Sequence, residues 1–333
     1  MERDHKLDFL RVLAIIGVLV IHSAERYADS ELEYLVGGWF ALVARACIAI
    51  FLFVSGVLFK QNEDTSYLKH RIKRVLYPYL FFSVFAIIYT YQANLPNLVG
   101  DIKIVLLKIL TGGTFNIYFF VFVIICSYVA IFILDKSRIL GKSITSLLLI
   151  SLVINLLHAS YFRQLFDFFD VKDKFKDYYY LRTLLIWLPY YFFGIYYRSF
   201  KLEKTILENK VLIRIAWIFV VVFYSFLYVI KIGNIGGYDS AIGTIYSLAT
   251  ILFLLTFDVR NQIIYFISKI SYSIYLSHIF FVYALRDIAP LLWQETPFWL
   301  GLVSLVLSFI GSLLVYFLAK LILKSKSIYV IGA

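Results

Sequence analysis

Apolar residues in this chain are gathered into long runs, and polar residues are concentrated in the short segments between them. An α-helix needs about 20 apolar residues to cross the hydrocarbon core of a membrane. Runs close to this length cover residues 7–24, 36–59, 75–95, 115–134, 143–160, 181–198, 211–231, 240–257, 263–284 and 297–323. The pattern predicts an all-α, polytopic transmembrane bundle of about ten helices.

The loops between the runs alternate in charge as the positive-inside rule requires. Lysine and arginine are concentrated at both termini and in the second, fourth and sixth loops, whereas the odd-numbered loops are neutral or acidic. This alternation predicts that both termini are cytoplasmic, because a missed or invented span would invert the pattern from that point on. A shorter run at 102–110 is predicted to be an amphipathic helix at the membrane interface.

The composition is typical of a membrane protein and argues against nucleic acid and metal ions as ligands. The chain has 333 residues, of which 62% are hydrophobic and 16% charged, more apolar than a soluble domain requires. We attribute the net charge of +11 to cytoplasmic loops rather than to nucleic-acid binding. Cys47 and Cys126 lie inside apolar runs and indicate neither a disulfide framework nor a metal site. We expect one membrane-embedded domain over residues 1–333, in the bilayer of the plasma membrane.

The first run, LDFLRVLAIIGVLVIHSA, contains three ionisable side chains, Asp8, Arg11 and His22. Eleven steps of an α-helix return to within about 20° of the starting direction, so Arg11 and His22 share a face and lie roughly 16 Å apart along the axis. Ionisable groups in membrane helices usually face a protein interior or a wet cavity. The alternative interpretation is a snorkelling arginine and a buried histidine that bonds to a neighbouring helix.

Basic residues before the third run favour binding of a phosphorylated ligand. Arg71 and Arg74 are neighbours on one helix face, and two guanidinium groups so placed suit a multiply phosphorylated cytoplasmic ligand. A plain positive-inside cluster beside lipid headgroups is the alternative. Ser55 and Gly56, at the end of the second run, indicate either close helix packing or a narrow point beside a ligand channel.

Two later segments carry further candidates. The ninth run contains SYSIYLSH, in which Ser271, Ser273, Tyr275 and His278 recur near helical spacing. His278 is a second intramembrane imidazole, with either a structural or a catalytic role. Residues 159–182 are predicted to form the longest extracytoplasmic loop. Its aromatic rings and carboxylates suit sugar binding, although an interfacial amphipathic helix explains them as well.

Taken together, these motifs resemble the acyltransferase 3 family of integral membrane acyltransferases. The resemblance rests on Arg11-x10-His22, SGxxF at 55–59, Arg71-x-x-Arg74 and SYSIYLSH at 271–278, in this order. It implies transfer of an acyl group, often acetyl, from cytoplasmic acyl-CoA to a hydroxyl of an extracytoplasmic glycan. It also implies that His22 is catalytic with Arg11 beside it in the channel, and that Arg71 and Arg74 bind the donor.

These implications define the predicted mechanism. His22 is expected to act as the general base, since imidazole titrates near neutral pH. Arg11 is expected to hold the donor, paired with Asp8 when the site is empty. Ser55, Tyr275 and His278 are expected to line the site. The acceptor is expected to be a cell-surface or lipid-linked glycan, and no metal is required. The alternative function is a transporter or flippase for a polysaccharide or lipid-linked sugar, although broken helices in two corresponding halves are lacking.

Overall fold

The computed structural model describes residues 4–24, 31–92, 100–230, 240–290 and 298–332, and these ranges contain helices and no strand. The helices are α1 (His5–Ala24), α2 (Glu31–Ala44), α3 (Ala46–Val57), α4 (Thr65–Tyr91), α5 (Ile102–Thr111), α6 (Phe119–Lys136), α7 (Ile139–Phe168), α8 (Asp173–Arg182), α9 (Leu184–Ser199), α10 (Glu203–Glu208), α11 (Lys210–Val229), α12 (Ala241–Leu255), α13 (Gln262–Ile288), α14 (Phe298–Leu323) and α15 (Ser327–Ile331). Short 3₁₀ turns, Asn116–Tyr118 and Lys324–Lys326, precede α6 and α15.

The all-α prediction is confirmed, and every predicted run overlaps at least one helix. Within the described ranges, seven helical stretches are long and apolar enough to cross a membrane. Three runs outside this set form α1, α9 and α12, of which α9 and α12 have only 16 and 15 residues. The count of ten spans and the cytoplasmic position of both termini therefore stay predictions. The run at 102–110 is helical, as α5, and most of its apolar side chains are exposed.

Local side-chain chemistry explains several helix ends. Asp64 caps α4 by accepting hydrogen bonds from the backbone N–H groups of Ser66 and Tyr67, at 3.0 and 3.1 Å. A further hydrogen bond from the Ser66 hydroxyl is the main reason that the pKa of Asp64 lies below its ordinary value. Gly112 ends α5 with φ of +69°, in the left-handed region that favours glycine. The start of α4 and the end of α5 thus coincide with capping residues.

Two helix boundaries differ from the predictions. The second run is divided at Arg45, whose N–H bonds to the carbonyl oxygen of Leu42, three residues back, and so tightens the turn between α2 and α3. The fifth predicted run, 143–160, lies in α7, and this helix continues to Phe168 instead of ending near residue 160. The predicted 159–182 loop is therefore mostly helical, formed by the end of α7 and by α8. Apolar residues such as Leu165 and Phe168 allow α7 to continue.

The core is organised around α1, which packs against α2, α3, α13 and α14. Leu10, Ala14 and Ile15 on α1 are fully buried. Beside it, α3 and α9 approach so closely that a Cβ atom added to Gly56 or to Gly194 would collide with the backbone of the opposite helix. The packing interpretation of Gly56 is therefore confirmed, since only small residues permit this separation.

Tyrosine hydroxyls fix α13 to its neighbours on the other side of the bundle. Tyr272 donates to the carbonyl oxygen of Val75 on α4 at 2.7 Å, and Tyr275 donates to that of Ile117 at 2.5 Å. In the reverse direction, Tyr118 donates to the carbonyl oxygen of Leu276 at 2.6 Å. Buried hydroxyls that are bonded in this way stabilise the bundle and fix the rotamers of the rings.

Candidate active site

A cavity of about 1500 Å³ opens into the bundle beside the first residues of α1 and the end of α15. Exposed side chains such as Arg74 and Lys204 form its mouth, and buried ones such as Phe120 and Tyr275 form its inner end. Drug-sized ligands occupy pockets of roughly 300–1,000 Å³, so this cavity has room for a larger molecule. Of the predicted site residues, it is lined by Asp8, Arg11, Ser55, Arg71, Arg74 and Tyr275.

The cavity lining is basic. Seven side chains of lysine or arginine and four carboxylates line it, an excess of three positive charges. The cations are Arg11, Arg71, Arg74, Arg198, Lys201, Lys204 and Lys269, and the carboxylates are Asp4, Asp8, Glu203 and Glu208. Such a lining attracts an anionic ligand, with the strongest attraction where water is partly excluded.

Arg71 and Arg74 occupy different parts of this cavity, although the sequence treats them as a pair. The Arg71 guanidinium donates to the hydroxyl of Tyr67 at 3.2 Å and to the carbonyl oxygen of Ser55 at 3.3 Å. It also lies over the ring of Tyr128, 4.1 Å from the ring centroid. Arg74 lies one turn further along α4 and is exposed. Arg71 is thus held in a fixed orientation inside the cavity, whereas Arg74 stands at the mouth.

Arg198, at the end of α9, is a lining residue that the sequence analysis counted only as loop charge. Its guanidinium donates to the carbonyl oxygens of Val57 and Phe59, at 3.2 and 2.8 Å, and so caps the end of α3. In the sequence, the feature that could have indicated a role in the cavity is the predicted position of Arg198 on the same side of the membrane as Arg71. That feature does not identify a partner, because Val57 and Phe59 are remote from Arg198 in sequence.

Asp8 and Arg11 form an ion pair within the cavity. The Asp8 carboxylate is 3% exposed, and its Oδ1 accepts from Arg11 at 3.3 Å and from the Ser268 hydroxyl at 2.7 Å. Lys6, one of the basic residues of the N-terminus, is buried and bonded to Glu203 at 2.6 Å. These contacts join the first two turns of α1 to α10 and α13.

His22 and His278 do not line the cavity but lie together beyond its inner end. Their ring centroids are 5.4 Å apart. Tyr275 connects them to the cavity, since its ring lines the inner end and lies 6.3 Å from that of His278. The predicted common face of α1 is consistent with this arrangement, because Arg11 lies in the cavity and His22 lies deeper along the same helix.

Three aromatic rings line the inner end of the cavity, and one of them, Tyr275, lies next to His278. Phe51 and Phe120 line the inner end with ring centroids 5.9 Å apart, and Phe120 lies 5.7 Å from Tyr275. We call Phe51, Phe120 and Tyr275 the aromatic wall. Because the Tyr275 hydroxyl is bonded to the backbone at Ile117, its ring cannot rotate away without losing that hydrogen bond.

Within the predicted sugar-binding segment at 159–182, some rings pack against one another and others, such as Tyr161 and Phe168, are exposed. Phe162 stacks on His158 and on Tyr179, with centroid distances of 4.5 and 5.7 Å. The side chains of Asp173 and Asp177 lie outside the described residues, as do the acidic residues of the first loop. Across the described ranges, no three side chains of His, Cys, Asp or Glu are close enough together to hold a metal ion.

Comparison with known proteins gives one match. A family model described as an acyltransferase domain matches residues 4–317, which is nearly the whole chain. No curated protein and no solved structure matches. The matched range includes α1, the basic cavity and both histidines.

Proposed function

The chain belongs to the acyltransferase 3 family, and we propose that it transfers an acyl group, acetyl in the simplest case, from cytoplasmic acyl-CoA to a glycan hydroxyl at the cell surface. The observation that carries this proposal is the basic cavity whose inner end lies next to the pair formed by His22 and the buried His278. A cell-surface polysaccharide or a lipid-linked sugar of the cell envelope would be the acceptor, and the plasma membrane the location.

The charges of the side chains that line the cavity indicate how the acyl-CoA donor would bind. CoA is polyanionic, and guanidinium groups bind phosphates through paired, charge-assisted hydrogen bonds. Arg71 and Arg74 would hold these phosphates, with Arg198 and Lys204 adding positive charge at the mouth. Arg11 lies deeper, paired with Asp8, and would contact the arm of the donor between its phosphates and its thioester.

The transfer itself requires a base near the thioester. His22 would take the proton of the acceptor hydroxyl as the hydroxyl oxygen attacks the thioester carbonyl carbon. The carbon–sulfur bond then breaks, its electron pair leaves with sulfur, and the proton passes from His22 to the thiolate. The products are an O-acyl glycan and CoA with a free thiol. Arg11 is roughly 16 Å from His22 along α1, too far to stabilise the oxyanion.

Release of the CoA thiol from acetyl-CoA by the purified protein tests this proposal. We expect release that increases when glycan extracted from the native cells is added. His22→Gln retains hydrogen bonding but cannot serve as the base, so kcat should fall by about 10²- to 10⁴-fold. Binding of CoA should persist, because His22 does not line the cavity.

Two outcomes would contradict the proposal at different points. A His22→Gln protein with more than about a tenth of the parental rate would exclude His22 as the base. A parent that binds no CoA and releases no thiol, yet moves a lipid-linked sugar across a vesicle membrane, would favour the flippase alternative. Mass spectrometry of surface glycans from deletion and wild-type cells would then identify the acceptor and the acyl group.

A further inference from the structure

His278 is the most deeply buried ionisable side chain near the proposed site, with none of its surface exposed. Its Nδ1 lies 3.1 Å from the carbonyl oxygen of Ile274 and 2.8 Å from that of Tyr275. Carbonyl oxygens only accept hydrogen bonds, so Nδ1 carries the hydrogen and Nε2 presents a bare lone pair. Among the described residues, this Nε2 atom has no hydrogen-bond partner.

An acceptor of this kind is unusual in a protein interior. Buried polar atoms nearly always have a partner, and the exceptions call for an explanation. The two backbone contacts at Nδ1 fix the orientation of the ring, so Nε2 cannot turn to find an acceptor or donor elsewhere. The ring of His22 lies 5.4 Å away, centroid to centroid, with 39° between the ring planes. His278 is therefore a rigid hydrogen-bond acceptor next to the proposed base.

We infer that His278 is a positioning residue for His22, a role that rests on the proposed function of His22 as base. A neutral imidazole has one N–H group, whereas an imidazolium has two and needs two acceptors. His22 takes the proton of the acceptor hydroxyl at one ring nitrogen, and the N–H at its other ring nitrogen donates to Nε2 of His278. His278 gains and loses no proton in this step. It stabilises the imidazolium of His22 until the proton passes to the CoA thiolate.

This role resembles that of a carboxylate that orients a catalytic histidine, but it uses a neutral group. A charged acceptor without further partners would be costly to bury among the apolar side chains of this bundle. A neutral imidazole supplies the same lone pair at a smaller desolvation cost. The backbone carbonyls of α13 provide the orientation that a third side chain provides in a triad.

The test compares variants that retain or remove the acceptor, assayed by thiol release from acetyl-CoA with glycan extract. His278→Phe retains a planar ring without any acceptor and should lower kcat by about ten- to hundredfold, the effect of one hydrogen bond to a charged group. His278→Gln has a carbonyl oxygen in its side chain and should recover most of this loss. KM for acetyl-CoA should change little in both, since His278 does not line the cavity.

A double-mutant cycle separates positioning from a purely structural role. In a His22→Gln background, His278→Phe should have no further effect on the rate, because the group it serves is absent. Thermal unfolding of each variant is measured in parallel. If His278→Phe does not fold, His278→Leu replaces it in the same cycle.

Four results would overturn the inference. If the parent is active and its His278→Phe variant retains the parental kcat, the inference about His278 is wrong while the proposed function stands. An additive loss of rate in the double mutant has the same meaning. A Gln variant as slow as the Phe variant, with an equally lowered melting temperature, would assign His278 to folding instead. A parent that releases no thiol from acetyl-CoA overturns the proposed function and this inference together.

Discussion

Replacement of Arg71 by alanine is the most direct test of how the donor is bound. The guanidinium group has five N–H donors. Two of these donors are used on the Tyr67 hydroxyl and on the Ser55 carbonyl oxygen. The ring of Tyr128 supports the group from one face. Arg71 is therefore oriented before a donor arrives, and little conformational entropy is lost when it binds.

The expected magnitude follows from these contacts. A hydrogen bond to a charged group contributes about 1.5–3 kcal/mol, so Arg71→Ala should raise the KM for acetyl-CoA by about ten- to hundredfold. Arg71→Lys retains the charge but has neither the forked guanidinium group nor its stacking on Tyr128. Its KM for acetyl-CoA should therefore lie between that of the parent and that of Arg71→Ala. Arg74 is exposed and screened by salt, so Arg74→Ala should raise KM by no more than about fivefold.

The assay is thiol release across a range of acetyl-CoA concentrations, together with calorimetric titration of CoA into the purified protein. Lys73→Ala is the matched control, because Lys73 is exposed on the same turn of α4 and does not line the cavity. It should behave as the parent does. An Arg71→Ala protein that binds CoA with parental affinity would show that the basic cluster only orients the chain in the membrane.

Three further predictions test the topology, the packing and the aromatic wall. A reporter fused after Lys326 should be cytoplasmic and one inserted near Asp173 extracytoplasmic, and the opposite result at either position in a cell-based assay would contradict the ten-helix count. Gly194→Ala should lower stability by about 1–3 kcal/mol, because the added methyl group collides with the backbone of α3; thermal unfolding measures this, and Gly141→Ala, in an open part of the chain, is the control. Phe120→Ala should increase the rate with butyryl-CoA relative to acetyl-CoA, because it removes a ring from the inner end of the cavity; an unchanged ratio would show that the wall does not limit the acyl group.

Much of the fold could be predicted from the sequence because local hydrophobicity determines where membrane helices form. All ten apolar runs are helical, and the periodicity of α1 correctly orients Arg11 toward a shared interior. The division at Arg45 could not be predicted in this way, because a single turn tightened within an apolar run leaves no trace in hydropathy. The extension of α7 was missed because aromatic and acidic residues are equally common in interfacial loops.

Six of the predicted site residues line the cavity, but the arrangement of the candidate site could not be predicted from the sequence. Arg71 and Arg74 look equivalent in sequence, and only the positions of Ser55 and Tyr128 make them different. Likewise, His22 and His278 belong to distant runs, and each alone is compatible with a structural role. Their proximity depends on how α1 packs against α13, which is a property of the whole bundle and of no local pattern.

The aromatic wall bears on how a cell conserves its membrane potential. A group-transfer enzyme that connects the two sides of a bilayer risks forming a leak, and each charge that crosses dissipates about 2.3 kcal/mol per 100 mV of potential. Phe51, Phe120 and Tyr275 line the inner end of the basic cavity with apolar rings, which do not replace the hydration shell of an ion. In the proposed reaction the acyl group stays bonded to CoA until the acceptor hydroxyl attacks the thioester, so no ion has to move past these rings. These rings would thus allow acyl transfer between the two sides of the membrane while limiting the leakage of ions.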